Sequence, residues 1–433
     1  MDNFYVSGNI VEDTGHHKSH MLQEKGASGS SHMFYLKKHL ECECGETHSS
    51  LLVVLDDIND IEKIKPIGTH ILFAGDCEEV KKAVAKKFRI STIVSTTNHQ
   101  QSNSNHQSPF TNHPEDIRLI IGQGSKINYA KYIAKMMGLE CIIIGVGDFL
   151  SSSVIQNNNG GFNLIKTPPH YIVPSIKDDT LSLSNSFAIA TLSVLSMFEY
   201  YVVQNQKVCP LIFEKAMSIS RDLISTASKT TLVTSPKLKE AILDANLKLA
   251  IINEYIGGST CLSINGAVQT AAVFSRLSFC DSELKIDKLH SSALVLSGAV
   301  VRAYEAFLNK KIAHCPPPNN ALRVEKLMEH LKIKETAAIK LVPQYVGRLE
   351  LEKQNYNLEL FRNGYLRIIR EIKDLLGEAV HLFFRLLPDG GFEYREYADS
   401  LEVGLCLGLG ADVLRGRTLL SIMRDNGVLD GVL

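Results

Sequence analysis

The sequence lacks an excess of charge of either sign: 46 lysines and arginines stand against 47 aspartates and glutamates, for a net charge of −1. Such a balance creates no long-range field toward nucleic acid or an anionic membrane, so neither is expected as a partner and a small-molecule substrate or another protein chain is. It also lacks a disulfide framework. Its nine cysteines are odd in number, scattered and mostly set in apolar runs such as "ECIIIGVG", the pattern of a chain kept reduced in the cytoplasm. No secretory signal is legible, because residues 1–33 are polar and have no apolar core. They end in "GASGSSHM" and read as a disordered leader or tag outside the fold. Nor is there an uninterrupted lipid-like run. The most apolar stretch, Ser186–Val203, carries Glu199 and several hydroxyls, which mark a buried helix and no membrane span.

What is present is enough for two or three domains: 433 residues with two distinct patterns. Residues 34–180 alternate short apolar runs with helical stretches. Strands are expected at 51–58, 70–76, 90–96, 118–121, 140–147 and 171–176, with an amphipathic helix over 77–88. Strand, helix, strand in this order predicts an α/β domain with a parallel sheet. The polar, low-complexity stretch 97–115 reads as a solvated surface loop between two strands. From 181 to 433 helical patterns dominate, near 185–204, 207–228, 236–256, 266–277, 286–308, 321–333 and 349–376. Ser235-Pro236 is a clear helix start. A late β-hairpin is expected at 381–397, around Asp389-Gly390-Gly391.

Residues 118–139, "RLIIGQGSKINYAKYIAKMMGL", carry candidate chemistry. An apolar run meets Gly122 and Gly124 and opens into a helical pattern at Ser125. A helix starting there would aim unpaired N–H groups at an anion, and the glycines would let a phosphate approach the backbone. Gly-x-Gly also fits a plain strand-to-helix corner. The third glycine of a dinucleotide fingerprint is absent, since Ser125, Lys126 and Ile127 follow.

The run "GQGSKINYAKYIA" resembles the turn of the iron-containing alcohol dehydrogenase and dehydroquinate synthase superfamily, roughly G-G-G-S/T-x-x-D-x-x-K-x-x-A. It is most similar to the version of the sn-glycerol-1-phosphate dehydrogenases, G-x-G-T-I-N-D-x-x-K-Y. Gly122, Gly124, Ser125, Lys131 and Tyr132 match, while Asn128 stands at the motif aspartate. By this resemblance the turn holds the pyrophosphate of NAD or NADP, with Asn128 and Lys131 at the cofactor. "ILFAGDCEEV" resembles the family's strand-end V-A-D-E-N-T, which places Asp76 near the adenosine ribose. "CECGETH" (42–48) resembles an early C-x-C-G-x-x-H, and "GADVLRGRTLLSIM" a terminal R-x-R-Y-T-I-L. The matches run in order over most of the chain from residue 40. They imply a Rossmann-like α/β domain, then an all-helical, dehydroquinate synthase-like domain, with a ligand cleft between them. The implied activity is metal-dependent oxidation of glycerol 1-phosphate or a related polyol phosphate or alcohol, and a homo-oligomer is compatible with it.

In that family one carboxylate and two histidines of the helical domain hold a divalent metal, zinc or another, which polarises the substrate oxygen during hydride transfer. "LHSSALVLSGAVV" (289–301) resembles the helix L-H-G-E-Q-V-G-x-G, so His290 fits one metal ligand; the alternative is a hydrogen-bonded histidine on a partly buried helix. "GSTCLSINGAVQ" (258–269) resembles G-S-R-P-A-S-G-A-E-H and puts Gln269 at the second histidine. The counterpart of the carboxylate helix, "NSFAIATLSVLS" (185–196), has no acid, although Asp178, Asp179, Glu199 or His170 could complete a rebuilt site. "GVGDFLSSS" (145–153) resembles the substrate loop A-P-S-M-D-G-Y, with Ser151 at the aspartate and Asp148 close by. Cys42, Cys44 and His48 could bind zinc in principle. Their spacing departs from zinc fingers and no fourth ligand is near in sequence, which favours a structural or surface role. Two functions remain: a nicotinamide-dependent dehydrogenase, or a degenerate relative that binds a nucleotide or a partner without metal-dependent turnover.

Overall fold

The computed structural model describes the strands and helices named below with their caps, together with Cys42, Cys44, Leu55, Lys82 and residues 207–209, 229–235, 406–409 and 418. The leader at 1–33, most of the helix expected at 77–88, the loop at 97–115 and the turn at 389–391 lie outside the described residues. By its internal contacts the chain divides into two units. One comprises Met1–Leu40, Ser49–Gly147 and Pro169–Pro174, the other Glu41–His48, Asp148–Pro168 and Ser175–Leu433.

Ten strands are described: β1 His39–Glu41, β2 Thr47–Ser49, β3 Val53–Val54, β4 His70–Ala74, β5 Arg89–Ile93, β6 Ile117–Gln123, β7 Ile142–Gly147, β8 Ser153–Gln156, β9 Phe162–Ile165 and β10 Tyr171–Pro174. Six form one sheet in the order β3-β10-β7-β6-β4-β5, and every neighbouring pair is parallel. Strands covered on both faces read as unbroken apolar runs rather than alternating ones. The central strands do so, with Ile121 and Ile144 fully buried and paired in register. The chain steps outward from β4 to the edge strand β5, then returns to β6 on the other side of β4 and continues to β7 and β10. The neighbours β4 and β6 therefore form the topological switch of the sheet, where open α/β sheets place their ligands.

The second unit is mostly helical: α1 Thr180–Val203, α2 Pro210–Ser228, α3 Pro236–Tyr255, α4 Gly266–Phe274, α5 Ile286–Asn309, α6 Asn320–Leu331, α7 Glu335–Leu341, α8 Arg348–Leu386 and α9 Leu419–Asp425. Helix α1 lies at its centre, packed by α2, α3, α5, α8 and α9. Asp179 caps it by accepting from Ser182 N at 2.8 Å. Its hydroxyls are buried without cost to hydration because they fold back on the preceding turn: Thr191 donates to Phe187 O at 3.0 Å and Ser193 to Ile189 O at 2.8 Å. Among the described residues two helical stretches, Thr180–Val203 and Leu289–Asn309, are long and apolar enough to cross a membrane, and most of each is buried within the protein.

One expectation is overturned. Residues 381–386 are not the first strand of a hairpin; they are the last turns of α8. The physical reason is periodicity: Ile372, Leu375, Ala379, Leu382, Phe383 and Leu386 form one buried stripe at helical spacing, which the Asp-Gly-Gly signal beyond it had masked. A short hairpin absent from the expected strands lies at 153–165, where β8 and β9 pair antiparallel with Val154 opposite Leu164. The turn chemistry for that hairpin, Asn157 to Gly161, was legible in the sequence and unused.

Candidate functional site

The first candidate site is the carboxyl end of the switch strands. In register, Ala74 of β4 lies opposite Gly122 of β6, and Gly122 opposite Gly145 of β7. Gly122 is buried and next to last in β6, at the end of the sheet where open α/β folds place their ligand crevice. Asp76 follows β4 by two residues, and Gly124, Ser125, Asn128 and Lys131 follow β6; all five lie outside the described residues, as do Asp148 and Ser151. Gly147, the last residue of β7, has φ of 148°, a conformation side chains resist, where the chain turns toward Asp148.

The second candidate site is the buried polar centre of the helical unit. Glu199 lies on the last turns of α1, 2% exposed. Its carboxyl group accepts from Gly266 N at 3.0 Å, from Leu419 N at 3.2 Å and from the Tyr304 hydroxyl. The first residues of α4 and α9 therefore aim their N–H groups at one carboxyl group on α1, and α5 adds a phenol. Burial dominates and pushes Glu199 up from the ordinary 4.5 to about 7, against the lowering by those three donors. Tyr304 is raised well above its ordinary value, first by burial and then by the facing carboxylate. Gly266 is required at this junction, because a Cβ would run into the Tyr304 hydroxyl and lie 3.0 Å from Leu420 Cγ.

Gln269 is fully buried one turn along α4, and its Oε1 accepts from Thr418 Oγ1 at 2.7 Å. His290 is buried in the second turn of α5, where Ser291 N donates to Asn185 Oδ1 of α1 at 3.3 Å. Helices α4 and α5, which carry Gln269 and His290, pack on each other. Of the four residues offered for a rebuilt metal site, Asp179 is spent as the cap of α1 and Glu199 in the network above, while His170 and Asp178 lie outside the described residues.

No protein-family model matches this sequence, and no curated protein matches it. Solved structures overlap it. A glycerol dehydrogenase from Schizosaccharomyces pombe shares 13% identity over 69% of this chain and 84% of its own, at a TM-score of 0.39. An iron-containing alcohol dehydrogenase from Thermotoga maritima shares 13% over 74% and 93%, at 0.38. A 1,3-propanediol oxidoreductase shares 11% over 84% and 92%, at 0.45. Superpositions this shallow carry no argument about fold or chemistry, so the functional reading rests on the residues.

The donor chemistry described in the helical unit does not fit the metal site that the sequence resemblance implies. Such a site needs a carboxylate and two imidazoles converging on one point. Gln269, where the resemblance implies an imidazole, hydrogen-bonds into the core, and the carboxyl group of Glu199 is tied to a phenol and two backbone amides. Among the described residues, one group of histidine, cysteine and acidic side chains is close enough to share a metal ion, and it lies elsewhere: Cys42, Cys44, His48 and Cys209. Sequence reasoning had the first three and missed Cys209 and the Glu199–Tyr304 pair, because both partnerships join residues more than 100 positions apart.

Proposed function

We propose that this protein is a nucleotide-binding member of the dehydrogenase-like superfamily that binds NAD or NADP at the turn after β6 and carries out no metal-dependent hydride transfer, acting as a binding or regulatory chain. The observation that carries the reading is the fate of the side chains at the family's ligand positions. Gln269 and the acid nearest the carboxylate position, Glu199, are hydrogen-bonded into the core as ties among α1, α4, α5 and α9. Nucleotide binding is supported by sheet topology: Gly122, next to last in β6, pairs with Ala74 at the end of β4, at the switch point where open α/β sheets place their ligands. In this reading the motif resemblance assigns Asp76 to the ribose, and Gly124, Ser125, Asn128 and Lys131 to the pyrophosphate.

A second reading is a working dehydrogenase of glycerol 1-phosphate or a related polyol phosphate. The retained His290 on α5 favours it, and the sequence resemblance would assign Asp148 and Ser151 to the substrate. One experiment separates the two: calorimetric titration with NAD and NADP, followed by turnover assays on glycerol 1-phosphate with added zinc, iron or nickel. Saturable nucleotide binding that Gly124→Val abolishes, with no metal-stimulated turnover, is expected. Metal-dependent oxidation would overturn the non-catalytic reading, and failure to bind either nucleotide would overturn the cofactor site.

A further inference from the structure

We propose that Cys42, Cys44, His48 and Cys209 bind one zinc ion in a closed, four-ligand structural site of the second unit. All four donor atoms lie within 4.8 Å of one another. His48 Nε2 is 3.1 Å from Cys42 Sγ, 3.3 Å from Cys44 Sγ and 3.5 Å from Cys209 Sγ, and Cys42 Sγ is 3.6 Å from Cys209 Sγ. A tetrahedral zinc with bonds of about 2.0 Å to nitrogen and 2.3 Å to sulfur holds its ligand atoms roughly 3.5–3.8 Å apart. Apart from Cys42 and Cys44, whose sulfurs are bonded to each other and must first be reduced apart, these separations lie within a few tenths of an ångström of those values.

The imidazole is set up as a ligand. His48 is buried, and its Nδ1 lies 2.9 Å from the carbonyl of Tyr255, at the end of α3. A carbonyl only accepts, so Nδ1 carries the proton and Nε2 presents its lone pair to the three sulfurs, the tautomer that metal-bound histidines adopt. Cys209 is held as firmly. It is the N-cap residue of α2, with Pro210 behind it, and its side chain makes no capping bond. The positive end of that helix favours its thiolate. The Cys44 amide donates to Cys42 Sγ at 3.4 Å, which also favours negative charge on that sulfur.

Three thiolates and one imidazole are a soft donor set that suits zinc and discriminates against magnesium or calcium. Four protein ligands leave no open position, so the ion would fasten rather than catalyse: it would tie the segment between β1 and β2 to the start of α2, 167 residues away from Cys42. Cys44 is exposed and supplies the entry path. Cys42 and Cys44 stand in the structure as a disulfide across one residue. That is the oxidised, metal-free form of the same donors. A thiol reductant supplies the two electrons that open it, and three thiol protons leave as the ion binds. The site is independent of the nucleotide reading and of His290.

The test uses the full chain purified under a phosphine reductant without chelator, with metal measured by plasma mass spectrometry. One zinc per chain is expected, and cobalt substitution should give the intense visible bands and thiolate charge-transfer absorption of a tetrahedral sulfur site. Cys209→Ser and His48→Gln should each lower retained zinc at least about tenfold, whereas His290→Ala should leave it unchanged. Cobalt spectra of the unmutated chain keep the test valid if a variant misfolds. Reduced protein without zinc and without the cobalt–thiolate bands would overturn the site. So would zinc that is lost in His290→Ala and kept in Cys209→Ser, which would also restore the catalytic-metal reading.

Discussion

Replacing Glu199 by glutamine should flatten the dependence of stability on pH between about pH 5 and 8. The folded-state pKa of Glu199 is raised, from 4.5 to about 7, because burial penalises the charged carboxylate more than Tyr304 and the Gly266 and Leu419 amides favour it. For a raised acid the stabilisation is fully present below the unfolded value, where both states are protonated. It is lost as pH rises through the folded value, because the unfolded chain ionises first. A shift of that size corresponds to roughly 3 kcal/mol above pH 7, of which about 2–3 kcal/mol develops between pH 5 and 8. The group is fully buried, so solvent screening does not reduce the effect. Glutamine carries no proton to lose. It keeps one acceptor for Tyr304 and Leu419 but turns an NH2 group toward Gly266 N–H, a pH-independent cost of about 1 kcal/mol. The assay is urea denaturation followed by helix signal at several pH values in both chains, because the difference between them cancels every titration they share. Parallel profiles would refute the reasoning. A glutamine variant that loses its advantage as pH rises would show that the three donors outweigh burial.

The remaining predictions concern the same polar centre. Gly266→Ala pushes a methyl group into the Tyr304 hydroxyl and Leu420, and should cost about 1–3 kcal/mol by overpacking, read as a lowered denaturation midpoint; Gly377→Ala, whose Cβ would meet nothing within 4 Å, should not. Gln269→Ala removes a fully buried side chain and leaves Thr418 Oγ1 without its 2.7 Å acceptor, which should cost about 2–4 kcal/mol. An unchanged midpoint in that variant would mean that Gln269 is not a tie within the core.

The helices were legible because their signals are local. Ser235-Pro236 starts one, and the apolar spacing of α1, α2, α3 and α5 places their ends within a few residues of those observed. All six strands of the parallel sheet were legible, its central ones as apolar runs, whereas β1, β2, β8 and β9 outside it are three or four residues long and too short for any periodicity to register. The Gly-x-Gly pattern could be found in the sequence, but the position of Gly122 at the switch between β4 and β6 could not, because strand order depends on which distant segments pair. The same limit applied to chemistry. The sequence by itself determined that α1 has no acid between 180 and 198 and that glutamine stands at position 269. Only the tertiary structure decided that Glu199 closes on Tyr304 from 105 positions away and that Cys209 completes a set of donors begun at Cys42. Local pattern reports what one segment can do alone, and a buried charge or a metal site exists only where packing brings separate segments close enough to exclude water.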